Sequence, residues 1–286
     1  MNPPQTVDGV DVFIDGRGAP ILMLHGWPDT HRLWDAQVEH LKAQHRCIRF
    51  TLPGFDIAQP RRAYSLAELV GTIRRVTETA CPGERVTLLL HDWGCVFGYE
   101  FAMRHPALVA GIVGVDVGDA GSSKHRRSLN TRARLMVFTY QVWLAAAWRI
   151  GGTLGDRMTR WMARALHCRS DPRFIGSAMN YPYYIQWTGA HGSFRHALRF
   201  EPACPMLFVW GRRKPFQFHS AAWVDALRSR PGCSALEFDC GHWVMTNRPR
   251  EFNDAVAAWL AGTESAVVAS ARVVQVGVGS TRLDAS

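Results

Sequence analysis

The sequence predicts an α/β fold: a mostly parallel sheet covered by helices, with a helical segment inserted. Short apolar strands alternate with amphipathic helical patterns over residues 10–119 and again over 205–261, an order typical of parallel sheets. Between them, residues 120–200 contain helical patterns rich in Trp and Arg and no convincing buried strand. We expect an α/β core from residues 1–119 and 201–263, a helical cap from 120–200, and a C-terminal tail from 264–286.

The first half of the core is predicted from apolar runs and one capped helix. Strand patterns occupy 10–14, 21–26, 47–52 and 85–90. The helix predicted over 64–80 begins with a capping box, in which Ser65 and Glu68 satisfy each other's backbone groups, and it stops before a Pro-Gly pair.

The second half continues the same alternation on both sides of the insertion. A helix over 95–105 and a strand over 111–117 precede it. The strand patterns at 205–211 and 234–239, with helices over 217–229 and 249–261, follow it. The tail is Val-rich and rich in small residues, which leaves two alternatives: a disordered tail, or a strand formed by "ARVVQVGV" if it finds a partner.

The composition describes an ordinary globular chain. Hydrophobic residues make up 47% and charged residues 20% of the sequence. The net charge of +9 comes mainly from thinly spread arginines. No motif that reads bases accompanies them, so we expect a solvated basic surface and no nucleic-acid partner.

Cysteine usage and apolar runs bear on the cellular compartment. The seven cysteines show no pairing pattern, which favours reduced thiols in a cytoplasmic protein. The first residues have neither the basic start nor the apolar core of a signal peptide. The longest apolar run, 135–148, is too short for stable membrane insertion; it could touch a membrane surface, but we expect a buried cap helix. The sequence leaves open whether the protein forms a homodimer.

Three short motifs each follow a predicted strand: "LHGWPDT" (24–30), "HDWG" (91–94) and "CGHW" (240–243). Parallel strands bring such carboxyl ends to one edge of the sheet, where α/β proteins place their sites. Asp92 stands in a sharp turn between a strand and a glycine-containing helix, which presents its side chain above the sheet. No G-x-S-x-G occurs in the chain. Asp92 is therefore a candidate nucleophile, with a plain helix N-cap as the alternative.

The other two motifs supply the groups that an ester-forming carboxylate needs. His242 is the candidate base that removes a proton from water. The backbone N–H groups of Trp27 and Trp93 are candidates for an oxyanion hole. For His242 the alternative is a structural histidine, and for "HGWP" it is an ordinary turn.

With these motifs in this order, the chain resembles α/β hydrolases of the epoxide hydrolase and haloalkane dehalogenase type, over about residues 8–262. The resemblance implies a nucleophilic Asp, a His base, a supporting acid and backbone oxyanion donors, with no metal or organic cofactor. Two positions depart from the family pattern. Leu90 stands where a smaller residue is usual, and Lys214 stands where the supporting Asp is common. Asp116 fits an alternative acid position used by some dehalogenases.

The acid assignment has weaker alternatives. Asp116 could be a structural residue at a strand end, and Asp119 and Asp239 are further carboxylates near predicted strand ends.

Within the family that the chain resembles, epoxide hydrolases and haloalkane dehalogenases differ in the groups that stabilise the leaving atom. Dehalogenases need two N–H donors for a halide: the Trp after the nucleophile, and either an Asn in the HGxP turn or a Trp of the cap. Epoxide hydrolases instead use cap tyrosines to hydrogen-bond the epoxide oxygen. This chain has Trp93 after the nucleophile, but Trp27 stands where the Asn would be. The cap segment "MNYPYYIQW" resembles the Asn-aromatic-Tyr segment of epoxide hydrolase caps, with Pro182 inserted. We favour Tyr183 as one donor, then Tyr184, with Tyr140 as partner; alternatively the tyrosines only pack the cap.

The function predicted from these observations is an epoxide hydrolase-like enzyme acting on a small lipophilic substrate. A haloalkane dehalogenase is the alternative, and a binding protein that has lost turnover is a second one, kept open by Lys214. Four cap tryptophans suggest either an apolar pocket or the packing core of the cap. They are Trp143, Trp148, Trp161 and Trp187.

Overall fold

An eight-stranded sheet with the order β1-β2-β4-β3-β5-β6-β7-β8 organises the computed structural model, which describes residues 3–263. The strands are β1 (Gln5–Val7), β2 (Val10–Asp15), β3 (Ala19–Leu24), β4 (His45–Phe50), β5 (Val86–His91), β6 (Val109–Val115), β7 (Met206–Gly211) and β8 (Ser234–Phe238). Strands β3 to β8 pair in parallel, and β1 and β2 add an antiparallel edge. The predicted mostly parallel α/β sheet is confirmed; the short β1 was not predicted. The predicted tail lies outside the described residues.

Helices cover both faces of this sheet. They are α1 (Asp35–Leu41), α2 (Leu66–Ala80), α3 (Trp93–Arg104), α4 (Ser123–Ser128), α5 (Thr131–Ile150), α6 (Gly152–Ala165), α7 (Tyr181–Thr188), α8 (Ala221–Arg228), α9 (Val244–Asn247) and α10 (249–263). Short 3₁₀ turns occupy His31–Trp34, Pro106–Leu108, Pro172–Phe174, Ser177–Asn180 and Ala190–Gly192. The capping box predicted for α2 forms, with Glu68 N–H donating to Ser65 Oγ and Ser65 N–H donating to Glu68.

Residues 120–200, all of them described, form helices and turns and no strand. We call this segment the insert. It leaves the sheet after β6 and returns at β7. Within residues 3–263, none of the helices is long and apolar enough to cross a membrane.

Alternate residues of the central strands supply two separate hydrophobic clusters, one on each face of the sheet. Leu22 of β3 and Leu88 of β5 belong to one, and Met23 and Leu89 to the other. This alternation follows from the two-residue period of a strand. The first cluster also contains Met179 and Tyr183 of the insert, so the insert shares a core with the sheet.

Candidate functional site

Aligned strand ends bring the predicted site residues together. Leu24 of β3 pairs in register with Leu90 of β5, which pairs with Gly114 of β6. Asp92 and Asp116 each lie two residues beyond these paired positions, at the carboxyl edge of the sheet. This is the place where open α/β sheets bind their ligands.

The turn at Asp92 has a strained backbone that only small neighbours allow. Asp92 has φ 52° and ψ −120°, a conformation that costs of order 1–3 kcal/mol for a residue other than Gly. A Cβ at Gly26 would lie 2.5 Å from Asp92 Cβ and 2.5 Å from the backbone N of Trp93, and one at Gly94 would lie 2.3 Å from Leu24 O. The Asp92 side chain makes no capping hydrogen bond to α3, so it is not a simple N-cap.

Leu90, the larger residue before the turn, is accommodated by a glycine on the facing helix. A Cβ at Gly98 would lie 2.5 Å from Leu90 Cδ2 and 2.7 Å from Cδ1. The absence of a side chain at Gly98 of α3 therefore leaves room for the larger side chain of Leu90.

A backbone amide holds the Asp92 carboxylate from the side of the "HGWP" turn. The N–H of Trp27 donates to Asp92 Oδ1 over 2.8 Å, and the N–H of Trp93 borders the same space beside Gly26. His25 is buried and accepts a hydrogen bond from Leu52 N–H at Nε2, 2.9 Å away. It therefore ties the "HGWP" turn to the backbone that follows β4.

His242 lies between two carboxylates. Its Nδ1 bonds Asp116 Oδ2, and its Nε2 lies 3.6 Å from Asp92 Oδ2. In the neutral form of His242, a proton on Nδ1 directed at Asp116 leaves the Nε2 lone pair facing Asp92. The buried His91 packs its ring 4.5 Å from that of His242, and burial lowers the pKa of His91 to about 3, so it is a neutral neighbour.

Asp116 is fully buried and receives three donors. Gly211 N–H donates to Oδ1 over 3.1 Å, and both His242 Nδ1 and Lys214 Nζ bond Oδ2. The Lys214 side chain is 8% exposed, and Phe218 packs against both Lys214 and His242. The lysine is therefore part of the site, where it shares one carboxylate oxygen with the imidazole.

The two weaker carboxylate candidates are occupied elsewhere. Asp119 accepts hydrogen bonds from Ser220 N–H and Oγ over 2.7 Å and 2.8 Å. Asp239 pairs with Arg212 and Arg213 at the surface. Neither carboxylate contacts His242.

These charges set the protonation states of the cluster. Burial lowers the pKa of His242, but Asp116 and Asp92 outweigh it and raise that pKa to about 9. Burial raises the pKa of Asp116, but the charges of Lys214 and His242 hold it well below its usual range. Burial likewise opposes ionisation of Asp92, and His242 lowers its pKa overall. Burial lowers the pKa of Lys214, against the attraction of Asp116.

Two tyrosines of the insert lie beside the Asp92 turn. The Tyr183 ring packs edge-on against Trp27 and Trp93, with centroid distances of 6.0 Å and 5.2 Å. The Tyr140 ring lies 6.0 Å from that of Tyr183. Burial raises the pKa of both tyrosines, and the Asp92 charge raises it further. Both are therefore phenol O–H donors at neutral pH.

Hydrogen bonds between the core and residues 180–181 fix this part of the insert. Trp27 Nε1 donates to Asn180 Oδ1 over 2.7 Å, and Tyr181 Oη donates to Pro53 O over 3.0 Å. Pro182 falls in the first turn of α7, where its missing N–H costs nothing. Helix α7 therefore starts cleanly with Pro182 in place.

The remaining aromatic candidates pack on other insert residues or are exposed. Tyr184 stacks on Trp148, with centroids 4.2 Å apart. Trp143, Trp161 and Trp187 are 38%, 52% and 45% exposed. The expectation that these three line a pocket or fill the core of the insert was wrong, because their helices turn them outward.

Asp29, in the "HGWPD" turn, was missed as a site residue. It is buried, accepts a hydrogen bond from Trp243 Nε1 over 2.9 Å, and also accepts one from Ser170 Oγ of the insert. Burial raises its pKa to about 6. Asp29 therefore joins the insert to Trp243, the residue that follows His242. In the sequence, the one indication of this role was a carboxylate directly after the Trp-Pro pair of the "HGWP" turn.

Fold and site together define a hydrolase-type α/β architecture with an Asp–His–Asp cluster. Residues 21–255 match the family model described as "Alpha/beta hydrolase family". The chain belongs to this family, as its motifs indicated.

Known relatives include both branches anticipated from the sequence. Epoxide hydrolase 1 of Caenorhabditis elegans is 28% identical over 273 residues, 84% of this chain and 64% of that protein. A haloalkane dehalogenase of Sphingobium indicum is 37% identical over 107 residues, 35% of this chain and 36% of that protein. The matches cover no more than 64% of the length of either relative.

Among solved structures, an epoxide hydrolase of Bacillus megaterium in complex with an inhibitor superposes with a TM-score of 0.66. The identity is 21%, and the match covers 90% of this chain and 99% of that one. At this identity the likeness establishes the fold.

Proposed function

We propose that this protein is an epoxide hydrolase-like enzyme that converts a lipophilic epoxide to a diol through a covalent ester on Asp92. The observation that carries the proposal is the pair of phenols, Tyr183 and Tyr140, beside a carboxylate that is held by a backbone amide and faces a histidine. Nucleophile, acid and base then lie close together at the carboxyl edge of the sheet.

In the first step the free carboxylate oxygen attacks. Because Oδ1 of Asp92 accepts from Trp27 N–H, Oδ2 is the oxygen that attacks an epoxide carbon. The carbon–oxygen bond of the ring breaks, and its electron pair goes to the ring oxygen, which takes a proton from Tyr183 or Tyr140. Tyr140 Oη accepts from Gln141 Nε2 over 3.1 Å, which leaves its own proton available.

In the second step water cleaves the ester. His242 Nε2 takes a proton from water, and the hydroxide adds to Asp92 Cγ. The charge that develops on Oδ1 is stabilised by the N–H groups of Trp27 and Trp93. The Cγ–Oδ2 bond then breaks, Oδ2 leaves in the diol and takes the proton of His242, and the proton left on the Asp92 carboxyl returns to the tyrosinate.

Halide release is less well supported by the donors in the site. The Trp27 indole N–H, which stands at the position of a dehalogenase donor, is already bound to Asn180 over 2.7 Å. Trp143 Nε1 donates to Met158 O, so the indole N–H of this insert tryptophan is not free to bind a halide. The phenol of Tyr183 packs against Trp27 and Trp93 beside Asp92, and Tyr140 lies next to it, which favours an epoxide oxygen as the leaving atom.

The decisive experiment is a single turnover in heavy-oxygen water with an aryl epoxide. The label should enter the Asp92 carboxylate and be absent from the diol, because the diol keeps the original Oδ2. Label in the diol alone would refute the ester. A parallel panel of haloalkanes tests the alternative: halide release without any diol from epoxides would make the protein a dehalogenase.

A matched pair of variants separates chemistry from folding. Asp92→Ala should abolish diol formation while leaving the far-ultraviolet circular dichroism unchanged, whereas Asp119→Ala, a carboxylate outside the site, should retain turnover. Binding of epoxides by the natural protein without any turnover would identify a binding protein and overturn the proposal.

A further inference from the structure

The outer face of α5 is apolar, and no side chain of residues 3–263 covers it. Its exposed large side chains are Leu135, Phe138, Val142, Trp143 and Ile150, between 37% and 60% exposed. They recur at spacings of three, four and seven residues, which places them on one side of the helix. The sequence predicted a buried cap helix over 135–148. The segment is helical, but the prediction that it is buried was wrong for its outer face.

Neighbouring helices extend this surface. The Trp143 ring lies 5.1 Å from that of Trp161 on α6, and the Phe138 ring lies 5.2 Å from that of Trp187 on α7. Leu154 of α6 is 59% exposed. We call the eight side chains of α5, α6 and α7 named in these two paragraphs the outer aromatic face.

The opposite side of α5 is already used. Leu144 and Ala147 are fully buried, and Tyr140 packs towards the site. A helix that is apolar on both sides normally lies inside a protein or against a partner. Contiguous exposed apolar surface of this extent marks an interaction site in most soluble proteins.

The charge of the insert identifies the chemistry of the partner. Residues 120–200 contain 13 Lys and Arg against two Asp and no Glu, a formal charge of +11, so the rest of the chain, with 20 basic and 22 acidic residues, carries −2. Arg132 and Arg149 stand near the two ends of the face on α5, and Arg157 and Arg164 flank it on α6. Among residues 3–263, no carboxylate lies within ion-pair distance of these four arginines.

We propose that the outer aromatic face docks the protein on the surface of an anionic phospholipid bilayer. Trp and Phe side chains enter the boundary between headgroups and acyl chains, and flanking arginines bind the lipid phosphates. Each basic residue near such a surface strengthens binding about fivefold. A symmetric dimer through the same face would bring together two inserts that each carry a charge of +11. Their electrostatic repulsion makes a second copy of this chain a less favourable partner than an anionic membrane.

Helix α5 then has a membrane on one side and the site on the other. Tyr140 projects inward from the same helix whose Phe138 and Val142 project outward. The docking itself does not depend on epoxide chemistry; only the supply of a lipophilic substrate from the bilayer rests on the proposed function.

The test is co-sedimentation of the full chain with vesicles of phosphatidylcholine, with and without phosphatidylglycerol. Binding should require phosphatidylglycerol and weaken as salt rises. The double variant Trp143→Ser/Trp161→Ser should bind at least about tenfold more weakly, and Arg157→Gln and Arg164→Gln should each weaken binding about fivefold. Leu236→Ser and Arg250→Gln, exposed on the core, are the controls and should bind as the natural protein does.

Other occupants predict different results. Absence of binding to anionic vesicles, or binding that the controls weaken as much as the insert variants, would overturn the proposal. A dimer in sedimentation velocity that Trp143→Ser/Trp161→Ser dissociates would assign the face to a second copy. Vesicle binding that appears only after deletion of residues 264–286 would assign it to that segment. Turnover of a water-soluble epoxide should be unchanged in every insert variant, which separates failed docking from failed chemistry.

Discussion

Replacing Lys214 by Met tests how the lysine acts on His242 through Asp116. Lys214 Nζ and His242 Nδ1 bond the same oxygen, Asp116 Oδ2. The ammonium therefore draws part of the Asp116 charge away from the imidazolium, and it also repels the imidazolium directly. Met has a similar length, and it removes the charge without opening a large cavity.

The magnitude follows from the shared oxygen. Two donors on one oxygen lie about 4–5 Å apart, and unit charges at about 5 Å interact by about 3 kcal/mol at an effective dielectric constant of about 20. Loss of this repulsion should raise the pKa of His242 above its present value of about 9 by about two pH units. The ester removes the Asp92 charge in the natural protein and in the variant alike, so the difference between them remains. Because neutral His242 is the base, the rise of ester hydrolysis with pH should move to higher pH by the same amount.

The assay is the pH profile of single-turnover ester hydrolysis under the proposed mechanism. Lys214→Arg, which keeps the charge, should retain the natural profile, and Lys42→Met, on the surface, should have no effect. An unchanged profile for Lys214→Met would refute the argument, because it would mean that position 214 carries no charge that His242 senses. A profile moved to lower pH would show that Lys214 raises the pKa of His242 instead of lowering it.

Three further predictions concern the phenols, a buried carboxylate and the turn. Tyr183→Phe should lower the rate of ester formation by about tenfold to a hundredfold and leave ester hydrolysis unchanged in stopped-flow traces; an equal loss in both steps would contradict a role as proton donor. Asp29→Asn should stabilise the fold at pH 7 by up to about 2–3 kcal/mol in urea unfolding, because a carboxyl whose pKa rises from 3.8 to about 6 on folding is costly to ionise. The gain should be complete above pH 6 and absent below pH 3.8, and a loss of stability at pH 7 would show that the charge is needed. Gly98→Ala should cost about 1–3 kcal/mol through contact with Leu90 and little in a Leu90→Ala background; the same cost in both backgrounds would place the strain elsewhere.

Local sequence signals were sufficient for most elements of the fold. The capping box of α2 and the apolar runs of β3 to β8 were found because their signals lie within a few residues. The short β1 was not found, because three residues carry no periodic pattern and its order depends on pairing with β2. The outward faces of Trp143 and Trp161 were also not predicted, because a helix that is apolar on both sides does not reveal which side is buried.

For the site, the sequence supplied the candidate residues and the structure supplied their contacts. Asp92, His242 and Asp116 could be proposed because each follows a strand of one parallel sheet. The attachment of Asp29 to Trp243, and of Trp27 to Asn180, joins positions more than 150 residues apart, and no local pattern encodes such distances.

By itself, the sequence determined the α/β class, the turn at Asp92 and the three motifs that meet at one sheet edge, since strand order and period fix where parallel strands end. Tertiary structure alone decided that Lys214 shares Asp116 with His242, that Gly98 makes room for Leu90, and that the aromatic residues of α5 face outward. The reason is physical: a charge, a volume or an exposed face acquires its effect from neighbours that only chain folding brings within a few ångströms.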